Sequence, residues 1–174
     1  MHIYGLTKNK TLSTGISHRN SGKAARDVVP FSDQAKFNPV DRDPVALIEE
    51  QNKDRLPHLI PLRKERMSMS AFAFYRGTAL LMAHDLAQQT ITGTQLIICG
   101  DAHISNFGLY ASPERRLVFD LNDFDEAAPG PWEWDLKRLV TSVILGGENK
   151  GLCKSQTREA ALQAVSVTGL DYAK

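Results

Sequence analysis

The sequence is short of the features that mark secreted, membrane and metal-thiolate proteins. It has two cysteines, Cys99 and Cys153, and neither belongs to a Cys-x-x-Cys pair, which disfavours a zinc site or a redox motif. Without a disulfide framework, a reducing compartment is expected. The N-terminus lacks the apolar core of a signal peptide, and no window approaches the roughly 18 apolar residues of a membrane span. We therefore expect a soluble, cytoplasmic protein with no membrane partner.

An excess of charge of one sign is also lacking. The 21 Lys and Arg residues balance 20 Asp and Glu residues, and the net charge is +1. Nucleic-acid binding normally requires a basic excess, so no nucleic-acid partner is expected. The 174 residues, 42% of them apolar, suit one domain with a core. Residues 1–40 are polar and without clear periodicity, which predicts a flexible arm, and residues 41–174 are predicted to form the domain.

Local patterns predict an α/β or α+β fold, with a short β-hairpin and a neighbouring strand among several helices. Asp43 and Pro44 are typical of a helix start, and Gln95–Cys99 reads as a short buried strand. A helix from Pro131 is expected to end at Gly146 and Gly147. In that helix Lys137, Arg138 and Ser142 are expected to face mainly away from the apolar stripe. The other predicted elements are a helix near Ala79–Ala87, a hairpin of Phe107–Tyr110 with Leu117–Leu121, and a weaker helix near 155–167.

Two polar loops flank the predicted hairpin. The first, CGDAHISNFG, follows the apolar strand, and the second is DLNDFDEAAPG, 120–130. A hairpin returns the chain to its starting point, so the two loops should meet. For Asp101 alone, an Asx turn after a strand would be the simpler explanation. The residues expected to gather at this edge are Asp101, His103, Asn106, Asp120, Asp123 and Asp125. For Asp120 the alternative is that it faces away from the pocket, because side chains alternate along a strand.

Carboxylate and amide oxygens together suit Mg²⁺, and such sites often serve phosphate chemistry. We therefore predict Asn106, Asp123 and Asp125 as metal ligands, with a solvated loop acid as the alternative for Asp125. Asp101 and Asn106 are five residues apart, which suits a kinase-type phosphotransferase. In that chemistry the Asp orients or accepts the proton of the attacking hydroxyl. The expected partners are ATP or another nucleotide and an unknown hydroxyl-bearing acceptor.

The motif GDAHISN resembles the Gly-Asp-x-His-x-x-Asn loop of aminoglycoside and choline phosphotransferases. In that group a metal-binding Asp precedes an Asp-Leu helix start at a distance similar to the twelve residues from Asp123 to Asp135. The resemblance implies that Asp101 is the catalytic residue and that Asn106 and Asp123 are metal ligands. It further implies that Asp135 holds the loop through backbone hydrogen bonds. His103 would serve loop geometry more than proton transfer.

Longer stretches resemble a bacterial family, domain of unknown function 2252. They are DPVALIEEQ, RLPHLIPLRKERMSMSAFAFYRGTALLMAHDLA and CGDAHISNFGLYASPERRLVFDLNDFDEAAPGPWEWDLKRL. This family is placed in the kinase-like group, so the resemblance implies part of a protein-kinase-like catalytic lobe. Its members are more than twice as long, and the chain resembles an N-terminal fragment of them. The glycine-rich segment and lysine of their second half are not found in this sequence.

A nucleotide would therefore need other cations. Arg66 and Arg76 are predicted as its contacts, although Arg76 could equally pair with Asp85 or a loop acid. A kinase-like phosphotransferase is the leading functional hypothesis. A non-catalytic binding module without a nucleotide cover is the second. A metal-dependent phosphoester hydrolase is the third, and against it only His103, of five histidines, lies in an acidic loop.

Overall fold

The computed structural model describes residues 15–171, and it describes side chains for residues 20–166. Within these residues the fold is α+β, as predicted, with helices around two small antiparallel sheets. No helix of this part of the chain has both the length and the apolar character needed to cross a bilayer. The helices are α1 (Gly15–Val28), α2 (Phe31–Gln34), α3 (Pro44–Asn52), α4 (Ile60–Met67), α5 (Ala71–Arg76), α6 (Ala79–Leu86), α7 (Trp132–Asn149) and α8 (Lys154–Asp171). The strands are β1 (Gln95–Ile98), β2 (Phe107–Ala111), β3 (Leu117–Leu121) and β4 (Ala128–Pro131).

The predicted hairpin is confirmed. Strands β2 and β3 pair antiparallel, with Phe107 opposite Leu121. The turn closes through a hydrogen bond from the Arg115 N–H to the Ser112 carbonyl at 2.8 Å. Arg115 has a φ of 59°, a left-handed conformation that is common in the turns of β-hairpins.

The predicted strand at Gln95 is also confirmed, but its predicted burial is wrong. β1 pairs with β4, and Ile97 is 77% exposed, whereas Ile98 is buried. β4 lies in a stretch that the sequence indicated as loop. Its two prolines lack N–H donors, which restricts them to edge strands. β1 and β4 form a sheet of two strands, with both strands at an edge. The face of β1 that carries Ile97 is left uncovered.

Helix α7 is the central element, and it packs against α5, α8 and β1. It continues through Gly146 and Gly147 to Asn149, so the predicted end of this helix is wrong. The glycines serve close packing, because a Cβ on Gly146 would lie 2.6 Å from the Cδ1 of Ile104. The left-handed glycine lies just beyond the end of α7, at Gly151, which has a φ of 82°.

Helix α3 begins as predicted at Asp43. The Asp43 carboxylate accepts hydrogen bonds from the N–H groups of Val45 at 2.9 Å and Ala46 at 3.0 Å. These bonds satisfy donors that the first turn of a helix leaves without intrahelical partners. Local sequence chemistry therefore determines this end of the helix.

The predicted N-terminal arm is only partly within the described residues. Residues 1–14 lie outside them, and residues 15–34 form α1 and α2, where no regular structure was expected. These helices are linked to each other by a hydrogen bond from Gln34 to the Val29 carbonyl. The side chain of Gln89 bonds to the backbone of Asn38 and ties the following segment to α6. The division into arm and domain stays a prediction.

Buried polar side chains lie along α7, which binds the segment before β1 through Glu133 and the loop after β1 through Arg138 and Ser142. Glu133, Arg138 and Ser142 of α7 are each at most 2% exposed. His103 and Asn106 of the loop are also buried. Buried polar groups require hydrogen-bond partners, so this junction is held by specific pairing as well as by apolar contact.

Candidate functional site

The loop that follows β1 begins with a sharp change of direction at Gly100. Its φ of 80° favours glycine, and a Cβ at this position would overlap the carbonyl oxygen of Glu126. The loop then passes Asp101 and ends in a short 3₁₀ turn, Ile104–Asn106, directly before β2. The glycine therefore lets the chain pass close to the second acidic loop.

The hairpin brings the two acidic loops together. The N–H of Asn122, just after β3, donates to the Asn106 carbonyl at 2.9 Å, one step beyond the ladder of the hairpin. The Cys99 thiol donates to the Asp123 carbonyl at 3.2 Å. The backbone of Asp123 thus lies against the start of the first loop, which agrees with the expectation drawn from the hairpin.

Asp135, in the first turn of α7, holds the start of the loop. One of its carboxylate oxygens accepts the N–H of Cys99 at 2.6 Å, and the other accepts the N–H of Gly100 at 3.0 Å. Hydrogen bonds to an ionised acceptor are stronger than neutral ones. This is the arrangement that the resemblance implied for Asp135.

Arg138, one turn further along α7, contacts Asp101 itself. The Nε of Arg138 donates to Asp101 Oδ1 at 2.6 Å, and its Nη2 lies 2.6 Å from the same oxygen. The Arg138 side chain is 3% exposed and the Asp101 side chain 20% exposed. The expectation that Arg138 faces away is wrong, because its charge is buried against a carboxylate from a distant segment.

Ser142 completes the attachment of the loop to α7. Its Oγ accepts the N–H of Ile104 at 3.0 Å and donates to the Leu139 carbonyl at 2.6 Å. Ser142 is fully buried, so the expectation that it faces away is also wrong. Positions 135, 138 and 142 lie on one helix face and contact successive loop residues in the same order.

Asn106 is buried at the end of this loop. Its side-chain Nδ2 donates to the Asp101 carbonyl at 2.9 Å, and its backbone N–H donates to the His103 carbonyl at 2.8 Å. The carbonyl partner requires a donor, so the amide nitrogen faces Asp101. The side-chain oxygen has no hydrogen bond within the described part of the chain. That oxygen is the atom that could bind a cation.

Asp123 and Asp125 are exposed on the second loop. The N–H of Asp125 donates to Asp123 Oδ1 at 3.2 Å, which is an Asx turn. The described residues contain no group of three or more His, Cys, Asp or Glu side chains arranged to hold a metal ion. Asn106, Asp123 and Asp125 offer amide and carboxylate oxygens, which are the ligand type that Mg²⁺ prefers.

His103 is buried beside Asp101, with its Nε2 3.8 Å from Asp101 Oδ1. Its Nδ1 is buried without a hydrogen-bond partner among the described residues. Burial lowers the pKa of His103, and the charges of Arg138 and Arg76 lower it further, while Asp101 acts in the opposite direction. His103 is thus held as a neutral ring near neutral pH, which suits a structural role.

The pKa of Cys99 is affected by the acidic residues around it. Burial raises the pKa of its thiol, and the negative charges of Asp135, Asp101 and Asp123 raise it further. All three carboxylates are therefore close enough to act on one buried sulfur. Three carboxylates therefore lie near the start of the loop, and one of them, Asp101, is paired with Arg138.

The two arginines predicted to contact a nucleotide lie in different surroundings. Arg76 ends α5 and is exposed, and its charge lowers the pKa of His103, so it lies near the Asp101 loop. Arg66 is exposed on α4, and its side chain has no hydrogen bond or ion pair within the described residues. The considered pair of Arg76 with Asp85 does not form, since Arg42 holds Asp85 through two hydrogen bonds.

The sequence reasoning missed Arg138 and Ser142 as parts of the site. A signal was present, because Arg138 and Ser142 follow Asp135 by three and seven residues and so share its helix face. A polar stripe beside an apolar one is, however, normally taken as the solvent side of a helix.

Comparison with known proteins identifies a family. The model of a family described as "Uncharacterized protein conserved in bacteria (DUF2252)" matches residues 55–167. No curated protein and no solved structure matches the chain. The matched region is more than half of the chain, and it contains both acidic loops and the face of α7 that holds the first of them. The chain belongs to the DUF2252 family.

Proposed function

We propose that the loop around Asp101 is the phosphoryl-transfer site of a kinase-like phosphotransferase. The reaction would move a phosphoryl group from ATP or another nucleotide to a hydroxyl-bearing acceptor. The observation that carries the proposal is the hairpin register, with Asn122 bonded to Asn106, because it brings Asp123 to the loop that holds Asp101 and Asn106. A catalytic Asp, an Asn after it and a second Asp beyond a hairpin are the parts that this chemistry uses.

Asp101 is assigned to the proton transfer. In the proposed reaction the acceptor oxygen bonds to the terminal phosphorus, and the bond from that phosphorus to the leaving nucleotide oxygen breaks. The acceptor proton passes to the Asp101 carboxylate, which is 20% exposed and therefore accessible to a substrate. Positioning of the hydroxyl in line with phosphorus accounts for most of the catalysis in such reactions.

Asn106, Asp123 and Asp125 are assigned to Mg²⁺. Their side chains offer amide and carboxylate oxygens, and the Asn106 nitrogen is already bonded to the Asp101 backbone. A bound Mg²⁺ would neutralise negative charge on the phosphate oxygens. Arg76 is assigned to a phosphate contact, since it is an exposed cation near the loop, and guanidinium groups match phosphate geometry.

The proposal is accompanied by one inference about the fold and one about the cellular location. We infer that α6, β1, the hairpin and α7 form part of a protein-kinase-like catalytic lobe, which agrees with the order of these elements around the Asp101 loop. We also expect a cytoplasmic location, where nucleotide and Mg²⁺ are available.

Titration calorimetry with ATP, with and without Mg²⁺, tests the function. The chain should bind ATP only when Mg²⁺ is present, and Asp123→Ala should lose this binding. Asp101→Asn should keep the binding, because Asp101 acts on the acceptor. Asp120→Ala, an exposed carboxylate on the same hairpin, is the matched control and should bind as the unmodified chain does. Absence of Mg²⁺-dependent binding, or equal losses in both alanine variants, would overturn the proposal in favour of a non-catalytic module.

A further inference from the structure

The contacts of Asp101 are divided unequally between its two oxygens. Both nitrogens of the Arg138 fork that approach it converge on Oδ1, each at 2.6 Å. The nearest ring nitrogen of His103 is 3.8 Å from the same oxygen. Within the described residues, Oδ2 accepts no hydrogen bond from the protein. The protein therefore fixes one oxygen and leaves the other for a different partner.

The guanidinium group of Arg138 also contacts Tyr75 and Met82. Its Nη2 also donates to the Tyr75 carbonyl at 3.0 Å, and its central carbon lies 4.5 Å from the centre of the Tyr75 ring. Nη1 contacts the Met82 sulfur at 3.8 Å. The Tyr75 hydroxyl donates in turn to the Arg138 carbonyl at 2.9 Å. Helices α5 and α6 thus determine where the fork of Arg138 points.

The two residues of the pair differ in how far they are exposed to solvent. Arg138 is nearly fully buried, whereas Asp101 keeps a fifth of its side chain exposed. A purely structural pair would be expected to use both carboxylate oxygens, as Arg42 does with Asp85 through Nε and Nη2. At Asp101 the second oxygen has no donor from the described residues.

We propose that Arg138 is a positioning residue, which holds Asp101 by Oδ1 so that Oδ2 is directed at the acceptor hydroxyl. This inference rests on the proposed function for its meaning in catalysis. Arg138 itself does not touch the substrate, because it is buried behind the carboxylate. Lysine could supply the charge but not the planar fork, so a Lys at this position would not hold the Asp101 side chain in one rotamer.

The orientation itself is tested by NMR, without any assay of activity. Three-bond couplings report whether the Asp101 side chain occupies one χ1 rotamer or several. We expect one rotamer in the unmodified chain and averaged couplings in Arg138→Lys. Arg42→Lys, at the other partly buried pair, is the matched control and should leave Asp101 in one rotamer. A single unchanged rotamer in Arg138→Lys would overturn the inference.

A second measurement covers the case in which Arg138→Lys does not fold. In the unmodified chain the Nε–H of Arg138 should give a slowly exchanging NMR signal, because it is buried and bonded to Asp101. Asp101→Asn should shift that signal, while Asp85→Asn should not. A fast-exchanging Arg138 signal would show that the pair does not form in solution, and it would equally overturn the inference.

Turnover of Mg²⁺-ATP with water as the acceptor tests the catalytic consequence. Arg138→Ala should lower kcat about 100-fold with little change in the KM for ATP, because a displaced catalytic group costs roughly this factor. Added guanidinium should restore part of the rate in Arg138→Ala and none in Arg42→Ala. A rise in KM without loss of kcat, or a loss that guanidinium does not relieve, would contradict a positioning role. If the unmodified chain neither binds nor turns over ATP, the proposed function fails, and the rotamer measurement still decides the role of Arg138.

Discussion

The carboxylate of Asp135 accepts the backbone N–H of Cys99 at 2.6 Å, although 36 residues separate the two in the chain. Its other oxygen accepts the N–H of Gly100. These bonds join the first turn of α7 to the point where β1 becomes the loop. The position of Asp101 relative to α7 therefore depends in part on these two bonds from the Asp135 carboxylate to backbone N–H groups.

Replacing Asp135 by Ala should destabilise the fold. The change leaves two partly buried N–H donors without acceptors, and we expect a loss of about 3 kcal/mol in the free energy of unfolding. Asp135→Asn keeps one acceptor oxygen and should lose about half as much. Urea denaturation measures both, with Asp120→Ala on the exposed hairpin as the control within about 0.5 kcal/mol of the unmodified chain. Equal stability of Asp135→Ala and this control would mean that the two bonds contribute nothing.

Gly100 and Gly93 form a matched pair for backbone strain. Both have left-handed conformations, with φ of 80° and 81°, but only at Gly100 would a Cβ overlap another backbone atom. Gly93→Ala should cost about 1 kcal/mol for the conformation alone. Gly100→Ala should cost several times more, because the Glu126 backbone has to move. The comparison uses the same urea titration, and similar losses at both sites would show that the second loop yields easily.

The fold and the site were predictable from sequence to different degrees. The hairpin and the start of α3 follow from turn and cap residues that act on their neighbours, and both predictions are confirmed. The environment of Arg138 is different, since its partner Asp101 lies 37 residues away and contributes nothing to the local pattern. The prediction that β1 is buried was also wrong, because the apolar composition of a strand does not specify which other elements pack against it. Properties that depend on distant segments are the ones that local patterns do not encode.

Ser142 should be more sensitive than a surface serine that makes a similar bond. Ser142→Ala leaves the N–H of Ile104, in a partly buried hydrogen bond, without its acceptor, which costs about 2 kcal/mol. Ser68→Ala removes a hydroxyl bonded to the Lys64 carbonyl at an exposed position, where water replaces the bond. Thermal unfolding followed by circular dichroism should therefore show a clear decrease in Tm for Ser142→Ala alone. Equal shifts in both variants would contradict the tie between α7 and the loop.

His103 should make the stability depend on pH. Its pKa in the folded chain lies below the ordinary value, mainly because the ring is buried. As the pH falls below about 6.5, the unfolded chain takes up a proton that the folded chain resists, so the free energy of unfolding decreases. Above that pH the contribution is constant. Urea midpoints at pH 7.5 and 5.5 should differ less in His103→Gln than in the unmodified chain.

The exposed His58 provides the control for this experiment. His58→Gln should keep the difference between the two midpoints, because it removes an exposed ring and leaves His103 in place. If His103→Gln shows the same decrease between pH 7.5 and 5.5 as the unmodified chain, other groups cause the acid sensitivity.

The two thiols should differ sharply in reactivity. Cys153 is exposed before α8, and a hydrogen bond with the Ser155 hydroxyl, 3.0 Å away, is the main cause that lowers its pKa. Cys99 is buried, and burial raises its pKa. Because the thiolate is the reactive form, a disulfide reagent at pH 7.5 should modify Cys153 quickly and Cys99 only after unfolding in urea. Ser155→Ala should slow the fast phase, and Cys153→Ser should remove it. A fast phase that persists in Cys153→Ser would mean that Cys99 is accessible and that the loop after β1 opens in solution.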